Sequence, residues 1–304
     1  MRTFLRWTVR IVLSLLGLIC LGLGVVYIVS GSKLDKEFDT ASESVPVPSD
    51  AASIAEGKYL ATAIGKCVHC HGGDFGGKAF VEEPILATMA GSNLTGGEGS
   101  ATKAFTTEDW VRAIRFGVKK DGHGIPIMPS EEYWHFSDDE LGKLIAYIKS
   151  LPPVDRPAPE QSYGPMGRVL FVAGALPLFP TEKIDRSAKR APAPPKGPTA
   201  ARGRYLALTG GCHGCHGADL KGGVSFGDPS WPLPANLTMH EDGLGGRSEK
   251  DFFAALKTGL RKDGGQMDPT HMPWDMTALM TDDDIRALWA YIQTVPPAAS
   301  DWKE

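Results

Sequence analysis

The chain has 304 residues, 42% hydrophobic and 22% charged, which suits two globular domains with linkers and excludes an intrinsically disordered polymer. A net charge of −4 argues against nucleic acid as a partner. Five cysteines are too few for a disulfide-stapled scaffold, while 36 glycines and 23 prolines point to extensive loops.

In chain order, Arg2, Arg6 and Arg10 precede Ile11–Val29, a run of 19 residues without a charge. As a helix rising 1.5 Å per residue it would span about 28 Å, roughly a hydrocarbon core. The arginines predict a cytoplasmic N-terminus, with the remainder on the outer side. A signal peptide cleaved near Val29-Ser30-Gly31 is the competing reading, but the run exceeds the usual apolar region of about 7–15 residues. Cys20 within it reads as a small hydrophobe. Residues 1–31 are thus predicted to be the cytoplasmic end and membrane anchor, and residues 32–50, polar with Pro46 and Pro48, a tether.

Residues 51–155 form the first predicted domain. A helix over Ala51–Lys66 leads into Cys67-Val68-His69-Cys70-His71, two thiols followed at once by an imidazole. That is the c-type haem attachment pattern. Cys67 and Cys70 can add across the haem vinyl groups as thioethers, and His71 can take one face of the iron. One copy alone could equally be a redox dithiol or half of a zinc site. The glycine-rich residues 72–105 read as a loop around a haem edge. Thr106–Asp109 starts a helix that runs to Gly117. Ser137-Asp138-Asp139-Glu140 is a capping box before Leu141, Leu144, Ile145 and Ile148 on one helical face. Leu151-Pro152-Pro153 ends the domain.

The joining segment, residues 156–197, is proline-rich and carries +4, between stretches of −4 on either side. Its apolar run Met166–Phe179 is too short and broken for a second span. Packing between the two domains is its expected role, ahead of contact with the membrane or a partner subunit.

Residues 198–304 repeat the order of parts. Gly57-Lys58-Tyr59-Leu60 matches Gly203-Arg204-Tyr205-Leu206, Asn93-Leu94-Thr95 matches Asn236-Leu237-Thr238, and Leu151-Pro152-Pro153 matches Val295-Pro296-Pro297. Ser137-Asp138-Asp139-Glu140 matches Thr281-Asp282-Asp283-Asp284, with every offset between 142 and 146 residues. Internal self-similarity of this kind marks a duplicated domain. The attachment pattern returns at Cys212-His213-Gly214-Cys215-His216, which makes coincidence a poor explanation.

What fills the sixth position of each iron decides between electron transfer and catalysis. Met128 and Met272, each followed by proline, stand 61 and 60 residues after the first cysteine of their own motif. A thioether there raises the reduction potential and leaves no vacancy for oxygen or peroxide. His69, His213, His123 and His271 are rival ligands; His135 and His240 lack repeat equivalents, and Met267 and Met276 read as packing residues. Trp134, Trp231 and Trp274 are candidates for packing on haem or in the core. The two Asn-Leu-Thr triplets fit the glycosylation pattern, but their matched places predict a structural task, hydrogen bonding to the haem propionates.

Gly-x-Tyr-Leu, Cys-x-x-Cys-His-Gly, Asn-Leu-Thr, the Met-Pro loop and the acidic cap before a helix ending in Pro-Pro resemble class I cytochrome c domains. The resemblance covers nearly all of residues 51–155 and 198–300. The tandem is similar to the cytochrome c subunits of membrane-bound alcohol, aldehyde and gluconate dehydrogenases, although those usually carry three haem domains and this chain has two. It implies an all-α fold, two covalently bound haem c groups and single-electron transfer rather than catalysis. The implied setting is a bacterial inner membrane, with the haem domains on the periplasmic side. Expected partners are membrane lipid and redox proteins: a dehydrogenase, a quinol-oxidising complex or a terminal oxidase. The alternatives are the dihaem subunit of a haem-copper oxidase and, from a different class, a dihaem peroxidase.

Overall fold

A computed structural model describes residues 2–224, 231–300 and 302. Helix α1 spans Arg2–Leu34, and its apolar side chains from Phe4 to Val25 are exposed on all sides. A helix that is hydrophobic all round has no polar face to give to water, as a membrane-crossing segment requires. It is the one helix among the described residues long and apolar enough to cross a membrane.

The stretch after it is not a free tether. The Phe38 N–H donates to Gly122 O at 2.9 Å, Val45 is buried, and Glu43 accepts from the buried Arg115 at 3.0 Å. Asp50 then caps α2 (Ala51–Tyr59), accepting from Ser53 N. Residues Leu60–Ile64 continue α2 as one π-helical turn. The repeat explains this turn. Ten residues separate Gly57 from Cys67 but nine separate Gly203 from Cys212, and a π turn absorbs one extra residue without ending the helix.

Helix α3 (Cys67–His71) follows, then the antiparallel strands β1 (Lys78–Glu83) and β2 (Ala87–Gly91), α4 (Thr107–Phe116), α5 (Ser130–Tyr133) and α6 (Asp138–Lys149). Helix α4 has the full reciprocal box between Thr106 and Asp109, and Gly117 closes it in the left-handed region. Packing of α2 on α6 makes the frame of this half. A Cβ on Gly57 would run into Lys143 O, so the crossing is as close as two backbones allow.

The joining segment adds β3 (Ser162–Tyr163), which pairs with β2, then α7 (Pro165–Val172) and a 3₁₀ turn over Pro180–Lys183. These strands correct the all-α expectation: the protein is largely helical, with a three-stranded sheet β1-β2-β3. A register shift between Ala79 and Val81 breaks the alternation of β1, which is why no period of two is visible in the sequence. The joining segment's apolar run also differs from expectation. Leu178 and Phe179 pack with Ala87 and Met89 of the hairpin, near Leu34 and Phe38, and not between the halves.

The second half runs α8 (Ala200–Thr209), α9 (Cys212–His216), α10 (Glu249–Thr258), α11 (Trp274–Thr277) and α12 (Asp282–Ile292). Here α8 crosses α12, and a Cβ on Gly203 would meet Ala287 O. Gly57 and Gly203 thus do the same work in equivalent places.

The halves meet through their cap residues. Tyr205 Oη accepts from Ser137 N at 2.9 Å and donates to Glu140 at 2.6 Å. Reciprocally, Tyr59 Oη accepts from Thr281 N at 3.2 Å and donates to Asp284 at 2.5 Å. Arg202, fully buried, binds Glu140 at 2.9 Å and Asp284 at 3.2 Å. The predicted capping box at Ser137 is therefore half present: Ser137 Oγ accepts from Glu140 N, while the glutamate side chain serves the other half of the chain.

Candidate haem-attachment site

Each attachment sequence is one short helix between two bends. Lys66 before α3 and Gly211 before α9 adopt left-handed conformations with φ of 50° and 75°, and Gly72 and Gly217 end the turns with φ of 83° and 82°. The histidines are oriented identically. His71 Nδ1 lies 2.8 Å from Ser92 O, and His216 Nδ1 lies 2.7 Å from Ala235 O. A carbonyl accepts only, so each Nδ1 carries the proton and each Nε2 is left with its lone pair free. Burial pushes both imidazoles toward the neutral form, the form that binds a metal.

The residues after those two carbonyls are Asn93 and Asn236. Asn93 donates to Val154 O and Arg156 O and accepts from Thr95; Asn236 donates to Ala298 O and Ser300 Oγ and accepts from Thr238 N. Their amides are spent inside the protein, which corrects the expected bonds to propionates. Each pins its loop to the chain beyond the last helix of its half, and so holds the carbonyl that orients the histidine.

Both turns open on one continuous, largely apolar cavity of about 1280 Å³, larger than the roughly 300–1,000 Å³ of a pocket for one small ligand. Cys67, Cys70, His71, Met128, Cys212, Cys215, His216 and Met272 all line it. Desolvation raises the thiols, Cys67 to about 12 and Cys215 to about 11, so neither is a ready thiolate for redox exchange. Among the described residues no three His, Cys, Asp or Glu side chains are placed to cage a metal ion, which leaves the zinc reading unsupported.

The methionine loops share one backbone device. Pro129 and Pro273 have φ, ψ of −77°, 59° and −72°, 60°, the inverse γ-turn values. Ser130 N donates to Met128 O at 2.7 Å and Trp274 N to Met272 O at 2.6 Å across them. In the first half the joining segment also grips the loop: Ile127, at φ 64°, donates from N–H to Leu178 O at 2.8 Å.

Of the rival histidines only His69 lines the cavity. His123 pairs with Asp121, His271 lies against Trp231 with ring centres 4.9 Å apart and planes tilted by 57°, and His213 is bonded to Ala218 O. Met267 lines the cavity beside Met272. Trp134, Trp231 and Trp274 do not line it; the aromatic wall comes from Trp110, Phe252, Phe80, Phe105 and Tyr133. The repeat held that signal, since Trp110 and Phe252 occupy matching positions on α4 and α10.

Two Cys-x-x-Cys-His turns, each presenting a fixed imidazole to a largely apolar cavity within a helical frame, define a c-type haem protein. The cytochrome c family model matches residues 54–152 and 200–296, and the chain belongs to the cytochrome c family. Covalently bound haem c comes with that membership.

Three relatives bracket it. The cytochrome c subunit of an alcohol dehydrogenase (quinone) from Gluconacetobacter polyoxogenes is 30% identical over 277 residues, covering 82% of this chain and 57% of the relative. The cytochrome c subunit of gluconate 2-dehydrogenase from Pantoea cypripedii is 30% identical over 281 residues, covering 80% and 60%. A diheme cytochrome c-type protein of Cereibacter sphaeroides is 26% identical over 260 residues, covering 76% and 82%. The chain spans little more than half the length of the dehydrogenase subunits.

Proposed function

We propose that the chain is a membrane-anchored dihaem cytochrome that carries single electrons between respiratory-chain partners, as the electron-transfer part of a complex with a dehydrogenase, a quinol-oxidising enzyme or an oxidase. Residues 1–31 form the cytoplasmic end and the single span, and residues 51–155 and 198–304 lie on the periplasmic side. Cys67 and Cys70 hold one haem c through thioether bonds, and Cys212 and Cys215 the second. His71 and His216 would ligate the irons through Nε2, and Met128 and Met272 would supply a thioether ligand to each.

The observation that carries this reading is the matched orientation of His71 and His216, each bonded through Nδ1 to a loop carbonyl and each lining the same cavity as an in-register methionine. Bound there, haem supplies a one-electron iron couple whose potential the axial ligands tune. The chain's residues fix the ligand tautomers, exclude water with apolar walls, and provide cations at the rim. Lys119 and Lys120 of the first half and Arg247, Arg261 and Lys262 of the second line the cavity, where the carboxylates of haem can be received.

A methionine in register in both halves disfavours the peroxidase alternative, which needs an exchangeable sixth position. Pyridine haemochrome analysis is expected to give two haems per chain, and near-infrared spectra two methionine-ligated low-spin centres. Met128→Ala and Met272→Ala are each expected to remove one methionine band. A high-spin haem in the resting protein, or a single methionine band, would sink the assignment.

A further inference from the structure

The outer end of α1 does not leave the protein through open space. Helix α7 packs along its last turns: Arg168 donates to Ser30 Oγ at 2.8 Å, and its guanidinium lies 4.7 Å from the centre of the Tyr27 ring. Lys33 Nζ is 5.6 Å from the Phe171 ring. Residues 27–33 of α1 straddle the end of the apolar run at Val29 and reach the first charge after it, Lys33. If that run fills the hydrocarbon, α7 lies at the level where acyl chains give way to headgroups.

Helix α7 is tied in turn to the tip of the β1–β2 hairpin. Gly164 N donates to Leu86 O and Met166 N to Ile85 O, each at 3.0 Å. Gly164 and Gly167 lie so close to the carbonyls of residues 84–86 that a Cβ on either would collide. Tip and helix therefore form one ledge. The side chains it leaves uncovered are apolar: Ile85 is 71% exposed, Met166 50% and Val169 37%. Glu82 and Glu83 are exposed on β1, on the strand side of the tip.

We infer that this ledge is a second membrane contact, in which Ile85, Met166 and Val169 enter the outer leaflet beside α1 while Arg168 and Lys33 stay at headgroup level. The inference rests on α1 being a membrane span. Lipid is the occupant because the ledge is continuous with the side of that span and its bare residues are aliphatic. Its cations and Tyr27 sit where interfacial belts carry such groups. Glu82 and Glu83 limit how far the hairpin can sink, since carboxylates are costly below the headgroups. The first half, with its haem chamber, is then held in one orientation on the bilayer rather than swinging on a stalk.

The test uses the full holoprotein in vesicles of phosphatidylcholine and phosphatidylglycerol doped with a phospholipid that bears a diazirine on its acyl chain. After irradiation and peptide mapping, carbene adducts are expected on α1 and on the peptides containing Ile85 and Met166–Val169. Ledge labelling should stand several-fold above that of the peptide around Leu279, an exposed leucine in the second half. Met166→Glu with Ile85→Glu should remove the ledge adducts and leave those on α1. Adducts on α1 with none on the ledge would overturn this inference alone, whereas no adducts on α1 would overturn the anchor itself. Ledge peptides unlabelled in vesicles, but crosslinked to another polypeptide in the native membrane, would assign the surface to a protein partner and also overturn the inference.

Discussion

Tyr59 and Tyr205 hold the same place in the two halves, and each puts its hydroxyl into the helix cap of the other. The exchange approximates a two-fold axis within one chain, as in an isologous dimer. It is broken three residues earlier, where Arg202 takes the place that Glu56 holds in the first half. Arg202 reaches both caps, binding Glu140 and Asp284 together.

That bond set predicts a graded response. Tyr205→Phe leaves Ser137 N–H without its acceptor and is expected to destabilise the protein by about 1–2 kcal/mol. Arg202→Met strands two buried carboxylates and should cost about 3–5 kcal/mol. Urea unfolding of the holoprotein, followed at the haem and in the far ultraviolet, measures both. Equal losses would mean that the arginine is not the centre of the contact.

Asn93→Ala and Asn236→Ala each remove buried bonds that hold a histidine-orienting loop. A loss of about 1–3 kcal/mol in stability is expected from each. Thermal melts monitored in the Soret band check this, and each variant should loosen its own haem first. Unchanged melts would show that Ser92 O and Ala235 O are held in place by other means.

Gly57→Ala and Gly203→Ala force a methyl group into Lys143 O and Ala287 O. Overpacking between backbones costs about 1–3 kcal/mol or more, so both variants should yield poorly matured protein. Haem content per polypeptide is the measurement, and a normal yield from either would contradict the crossing described.

Glu132 lies against the backbone of Gly211 and Gly214, and burial lifts its carboxyl from 4.5 to about 7. Between those values the folded protein holds a proton that the unfolded chain has released. Stability from this group is therefore full below about pH 4.5 and falls as pH rises to about 7, by at most roughly 3 kcal/mol. Glu132→Gln should flatten that part of the profile in urea titrations between pH 5 and 8. A slope unchanged by the substitution would assign the dependence to another group.

Much of this was legible in the sequence because it is local or repeated. The attachment turns and the helix starts at Thr106, Ser137 and Thr281 needed only spacing and self-comparison. What escaped reading depends on distant partners. Glu140 looks like a capping residue until Tyr205 and Arg202 claim it. The β1–β2 hairpin hides behind the shift at Ala79/Val81, and β3 is only two residues long. The apolar run after Met166 shows that something must cover it, but the sequence does not say that the hairpin and α1 do.

The grip of Leu178 O on Ile127, with Val154 O and Arg156 O on Asn93, bears on how far the two halves can be treated as modules. A fragment cut at Pro152-Pro153, the boundary the repeat suggests, would take away the chain that closes both sides of the first chamber. The second half keeps its own closing residues, Ala298 and Ser300. Of the two halves, then, the second is the natural candidate for independent expression, and the first needs its C-terminal extension as far as the turn at Pro180–Lys183.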